Sequence, residues 1–263
     1  TAASYAAELV ELATELEDPN PKVFELLETV LTALEQGRND GVLIWFELQL
    51  LTVCGWGPPW DARAGAGRIL ASLAGYTDLP YRLLCRLREQ GLVPKSLRFQ
   101  VSLPTTAAFL NAHVVVEHHA VLEPVYRDHL LGEMKEICAA IPHRDLAIQW
   151  DVSTEMGQWE GVRPAHFAPV KEGVIERLEL HASQVPGDVE LGIHLCYGSY
   201  GNRHWKEPES TANMVEVYNR LKERLTRPLH YIHMPVPVDR SDDAYFEPLR
   251  NMKLDPATKL FLG

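Results

Sequence analysis

Residues 146–152, Leu146-Ala147-Ile148-Gln149-Trp150-Asp151-Val152, make a short apolar run that barely alternates between apolar and polar. A strand with one wet face alternates with period two, so this run reads as a strand covered on both sides, the kind found in parallel sheets. Working outward, residues 123–140 carry a helical pattern ahead of it and residues 170–184 carry another behind it. A second apolar run follows over 189–196. Long amphipathic stretches alternating with short apolar runs are the pattern of parallel strands joined by crossover helices. The same reading gives a helix over 71–90, a strand over 97–103, a helix over 210–225 with Ser210 as its N-cap, a strand over 229–234 and a last short run over 259–262. The expected fold is α/β, with an incomplete parallel (β/α) barrel-like sheet of about five strands.

Ahead of this region the rhythm is helical throughout. Leu9, Leu12 and Leu16, then Phe24, Leu27, Leu31 and Leu34, then Ile44, Phe46, Leu48 and Leu51 recur at helical spacing. Asn20 before Pro21 fits an N-cap followed by proline in the first turn, and Gly37 fits the left-handed residue that closes a helix. Residues 55–67 hold Gly-Pro-Pro and four glycines, which suit neither a helix nor a strand interior. They place a boundary between a helical segment, residues 1–67, and the barrel-like segment, residues 68–263. An open sheet leaves edge strands to be covered, by packing the N-terminal helical cluster on the sheet or by strand pairing in a homodimer.

Of the 263 residues 46% are hydrophobic and 23% charged, enough to bury a sizeable core. The formal net charge of -11 argues against a broad phosphate-binding surface, so nucleic acid is not an expected partner. No apolar run approaches the roughly 20 residues that span a bilayer, and no basic-then-apolar leader is present. A soluble cytoplasmic protein is expected, with no membrane partner. Cys54, Cys85, Cys138 and Cys196 are scattered and read as reduced thiols.

Functional groups of such sheets collect at the C-terminal ends of the strands. His194 and Cys196 fall on one side of one strand, where an imidazole and a thiolate can share a Zn²⁺ ion, or where both simply pack beside the glycine-rich turn 197–201. His233 closes the next strand and completes a three-ligand set, His194, Cys196 and His233. Asp151 and Glu155 follow the buried strand as candidate catalytic carboxylates, with helix capping as the alternative. Gln149 alternates with Asp151 and joins it as a substrate-binding candidate. Ser102 and Thr105 offer hydroxyls to a ligand, or form only a cap and turn. Arg240, in a charged loop after His233, either stays solvated or meets an anionic group.

The segments RFQVSLPT (98–105), IPHRDLAIQWDV (141–152), ELGIHLCYGSYGNRH (190–204), IHMPVPVDRSDDAYF (232–246) and KLFLG (259–263) carry a resemblance. From about Gly75 onward the chain resembles the barrel shared by cobalamin-independent methionine synthase and uroporphyrinogen decarboxylase, and more closely an uncharacterised bacterial branch of it. The resemblance implies that Gln149 and Asp151 hold an amino-acid substrate and that His194 and Cys196 ligate zinc. That zinc would activate a substrate thiol as a methyl acceptor. His233 stands where that family has a glutamate ligand. The family's fourth ligand, a cysteine, belongs to a strand that would follow Gly263, and its first barrel strands are not matched.

NPKVFELLETVLTALEQG (20–37) and WFELQLLTVCGWGPPWDARAGAG (45–67) resemble instead the helical C-terminal part of the RecO recombination-mediator family. Arg63 and Ala66 stand where some members carry a CxxC zinc knuckle. Two partial likenesses meeting at one seam imply an artificial chimera, folded without native catalytic activity. The alternatives are a zinc-dependent methyl or one-carbon transferase and a recombination-type interaction module.

Overall fold

The computed structural model describes Val10 and residues 21–36, 73–198 and 204–263. The seam at 55–67, the helical pattern over 44–51, Asn20, Gly37, Cys54, Arg63, Ala66 and the turn residues Ser199 to Gly201 lie outside the described residues. The chain divides into two compact units, residues 1–75 and 76–263.

In the first unit, helix α1 spans Pro21–Glu35, with its proline in the first turn as expected. Val23, Leu26 and Val30 are its buried face, the i, i+3, i+7 stripe of an amphipathic helix. The expected stripe of Phe24, Leu27, Leu31 and Leu34 is displaced by one position, and Phe24 is exposed. Either stripe satisfies the helical period. Burying the β-branched pair Val23 and Val30 leaves the Thr29 and Thr32 hydroxyls on the wet side, where they donate to the carbonyls of Glu25 and Glu28.

Helix α2 (Leu73–Glu89) leads into the second unit. Strand β1 (Phe99–Pro104), helix α3 (Thr106–His113), helix α4 (His119–Ala140), strand β2 (Leu146–Val152), helix α5 (Thr154–Trp159) and helix α6 (Val170–Ser183) follow. Strand β3 (Glu190–Leu195), helix α7 (Ala212–Arg224), strand β4 (Tyr231–Met234), helix α8 (Asp243–Phe246) and strand β5 (Lys259–Leu262) complete it. The strands lie in the order β1-β2-β3-β4-β5 and every neighbouring pair is parallel. Among the described residues β5 does not return to pair with β1, so the sheet is open. The expected α/β fold with an incomplete parallel sheet of five strands is what the chain forms.

The two faces of the sheet differ. On one, Val101, Leu103, Ile148, Trp150, Val152, Leu191, Ile193, Leu195, Ile232 and Met234 are buried. Leu130, Met134 and Ile137 of α4, Val174 and Leu178 of α6, and Met214, Val217 and Leu221 of α7 are buried with them. Each such side chain contributes about 1.5–3 kcal/mol on burial, which makes this layer the core of the unit. The other face carries polar and half-buried residues. β2 is correspondingly less covered than its apolar run suggests, because Gln149 and Asp151 are half-buried on that open face.

Three local readings are corrected. Helices α3 and α5 were not expected, because a stretch of eight residues and one of six are too short to display a period. Helix α4 begins at His119, with Pro124 inside it, whereas a proline there suggests a start near Glu123. The N-cap of α7 is Thr211, while Ser210 Oγ accepts from the Ala212 N–H at 3.3 Å. No described helix is long and apolar enough to cross a membrane.

Candidate functional site

Strand register builds the site on the open face. Asp151, His194, His233 and Phe261 stand side by side across β2, β3, β4 and β5. Two residues earlier along each strand, Ser102, Gln149, Gly192, Tyr231 and Lys259 form a second row. Asp151, His194 and His233 of the first row and Gln149 and Tyr231 of the second line a groove of about 630 Å³, which Arg98, Gln100, Glu190 and His230 line toward the N-terminal ends of the strands.

Hydrogen bonds fix the polar floor. Gln149 Nε2 donates to Asp151 Oδ1 at 2.8 Å and to Ser102 Oγ at 3.2 Å. Tyr231 reaches from β4 to β1, where its hydroxyl donates to Gln100 Oε1 at 2.9 Å. It passes over β3 because Gly192 has no side chain: a Cβ there would overlap the Tyr231 ring. Arg98 Nε pairs with Glu190 at 2.8 Å.

The expected imidazole pair meets at the upper end. The rings of His194 and His233 stack at 4.6 Å between centroids and 22° between planes. His194 Nδ1 is buried without a hydrogen-bond partner. Burial lowers the pKa of His194, the charge of His233 lowers it further and Asp151 opposes both. Burial thus favours the neutral imidazole of His194, the form with a free lone pair for a proton or a metal.

Cys196 lies one residue beyond β3. Its Sγ accepts from the Gly198 N–H at 3.2 Å, and its own N–H donates to the Val152 carbonyl at 2.9 Å. Gly198 has φ +82°, and the Trp205 ring occupies the place of its missing side chain. Among the described residues no group of three or more His, Cys, Asp and Glu side chains is placed to hold a metal ion. The structure thus brings together His194 and His233 of the expected set and engages the Cys196 sulfur in its own turn.

The remaining candidates separate. Ser102 stands beside Gln149 in the second row but does not line the groove. Thr105 is fully buried as the N-cap of α3, accepting from the Ala108 N–H at 3.4 Å. Glu155, on α5, does not line the groove and is 1% exposed. It lies near the Thr105 side chain, and its Oε2 is buried without a hydrogen-bond partner. Burial pushes its carboxyl up to about 7. Arg240 pairs with Asp242 at 2.9 Å, donates to the Glu209 carbonyl at 3.2 Å and stands over the Tyr245 ring.

Other polar clusters were not foreseen. Arg177 of α6 grips Glu123 of α4 through Nε at 2.6 Å and Nη2 at 2.7 Å, and His166 Nε2 lies 2.8 Å from the same carboxylate. Glu160 accepts from the Tyr197 hydroxyl at 2.6 Å and from Asn213 Nδ2 at 2.8 Å, and pairs with Lys206. Partners more than 35 residues apart leave no local sequence signal; the nearest hint was an aromatic followed by glycine at Tyr197 and Gly198.

A second surface feature lies on α4. Val121 and Val125, one turn apart on the same helix face, are 71% and 67% exposed. Leu122 on the same helix and Val115 just before it are exposed as well. The stacked rings of Phe109 and Tyr126, 3.8 Å apart, join α3 to α4 beside this ridge.

A model of the family described as Recombination protein O C terminal matches residues 1–135. The match runs through α1, α2, β1, α3 and most of α4, well past the likeness read over residues 1–67. No curated protein and no solved structure matches the chain.

Proposed function

Because the chain belongs to the recombination protein O C-terminal family, we propose that residues 1–135 serve as a docking module of recombination type, which binds a protein partner rather than the nucleic acid itself. The observation that carries this reading is the ridge of Val121, Leu122 and Val125 on α4, which lies inside the matched residues. Exposed apolar side chains grouped on one helix face support a binding surface. The net charge of -11 disfavours a phosphate backbone as the ligand. Titration of the chain with a purified single-stranded-DNA-binding protein, and separately with a single-stranded oligonucleotide, tests it. Saturable binding to the protein supports the reading, and binding to the oligonucleotide alone opposes it.

A second reading is favoured by one observation at the groove, the stacked His194 and His233 beside Asp151. It is a zinc-dependent methyl or one-carbon transferase site, with Gln149 and Asp151 toward substrate. The fit is partial: two imidazoles meet, while the Cys196 sulfur bonds to Gly198. Zinc, when bound there, would lower the pKa of a substrate thiol. Elemental analysis of the chain beside Cys196→Ala and His194→Ala variants tests it, since a site of this kind loses zinc in both. An origin in two joined sources rests on the seam at 55–67, and a match that continues to residue 135 does not favour it. Homodimer formation through β1 or β5 is testable by sedimentation.

A further inference from the structure

Helix α5 consists of six residues, all of them buried, and it follows β2 directly, only a few residues after Asp151 of the groove. Its one ionisable side chain is Glu155. That carboxyl is 1% exposed, lies near the Thr105 side chain at the N-cap of α3, and has its Oε2 buried with no hydrogen-bond partner. The charged groups that act on it are Arg177 of α6 and Glu123 of α4. Those two are already bonded to each other, and His166 also bonds to Glu123, so the Arg177 charge is largely spent there. A buried carboxylate in such a place has neither water nor a cation of its own.

We propose that Glu155 is a proton-dependent latch: neutral, its carboxyl stays sealed beside Thr105 and holds α5 in place; ionised, it moves toward water, loosens α5 and alters the Asp151 end of the groove. Burial, which raises the carboxyl to about 7, puts the change near neutrality. The latch differs from both readings above, because it requires neither a partner nor a metal.

Amide hydrogen exchange of the full chain tests it, read on peptides covering residues 154–160 and corrected for the intrinsic pH dependence of exchange. Opening of α5 should rise about tenfold between about pH 6 and about pH 8.5, a factor set by a carboxyl at about 7 closed and an ordinary value open. In Glu155→Gln the rise should vanish while exchange in β2 and β3 stays as in the parent. Protection that is constant with pH in the parent, or a rise that survives in Glu155→Gln, would overturn the latch. Should Glu155→Gln not fold, carboxyl ¹³C spectra of the unmodified chain decide: one glutamate titrating near 7 supports the latch, and none above the usual carboxylate range overturns it.

Discussion

The ring of Tyr231 occupies the space that a side chain on Gly192 would need, and its hydroxyl ends on Gln100 three strands away. This places an aromatic bar across the groove and separates the Arg98–Glu190 end from the Asp151, His194 and His233 end. Gly192→Ala should expel the ring, since backbone and aromatic ring cannot both yield. We expect a loss of about 1–3 kcal/mol in urea denaturation, the range of overpacked sites. A Gly192→Ala, Tyr231→Ala double variant should recover part of that loss, because the two changes share one contact.

Glu155 gives stability a pH dependence of defined sign. Its carboxyl stands at about 7 folded against 4.5 unfolded, so the folded chain holds the extra proton in that window. The stability it contributes is complete below pH 4.5 and is lost as pH rises toward about 7. The shift corresponds to about 3 kcal/mol at most. Glu155→Gln should flatten this segment of the stability curve and be the more stable protein at alkaline pH, as measured by denaturant midpoints at several pH values.

The Glu123–Arg177 pair acts in the opposite direction. Burial pushes the Glu123 carboxyl up, but hydrogen bonds from Arg177 and His166 outweigh it and hold the group below its usual range. Its stabilisation is therefore present above the ordinary glutamate value and lost as pH falls. Arg177→Met should cost about 2 kcal/mol near neutral pH, because a half-buried carboxylate loses its bidentate partner. The cost should shrink in acid, where Glu123 is protonated in either protein.

The main outlines of the sheet were legible in the sequence because its strands are apolar at every residue that meets the core. Leu191, Ile193 and Leu195, or Ile148, Trp150 and Val152, declare the buried face without help from elsewhere. Short helices such as α5 were not legible, since six residues hold less than two turns. At the site, period two put Gln149 with Asp151 and His194 with Cys196, and adjacent parallel strands brought His233 toward His194; that Asp151 stands beside His194 came only with the register. The role of Gly192 was hidden, because it depends on Tyr231 of the neighbouring strand crossing the same spot. Cys196 follows the same alternation, but the strand ends before it, and its sulfur turns to Gly198.

The ridge on α4 should be separable from the fold. Val121→Glu and Val125→Glu replace exposed side chains, so each should change stability by no more than about 0.5 kcal/mol. Both should weaken partner binding at least about tenfold if the ridge is a hot spot of the interface.

The measurement that tests the docking reading most directly is calorimetric titration of the full chain with purified single-stranded-DNA-binding protein, beside the Val121→Glu, Val125→Glu double variant. We predict saturable binding that the double variant loses while its denaturation midpoint holds. Absence of binding by the parent chain, or equal binding by the variant, would contradict a docking surface on α4.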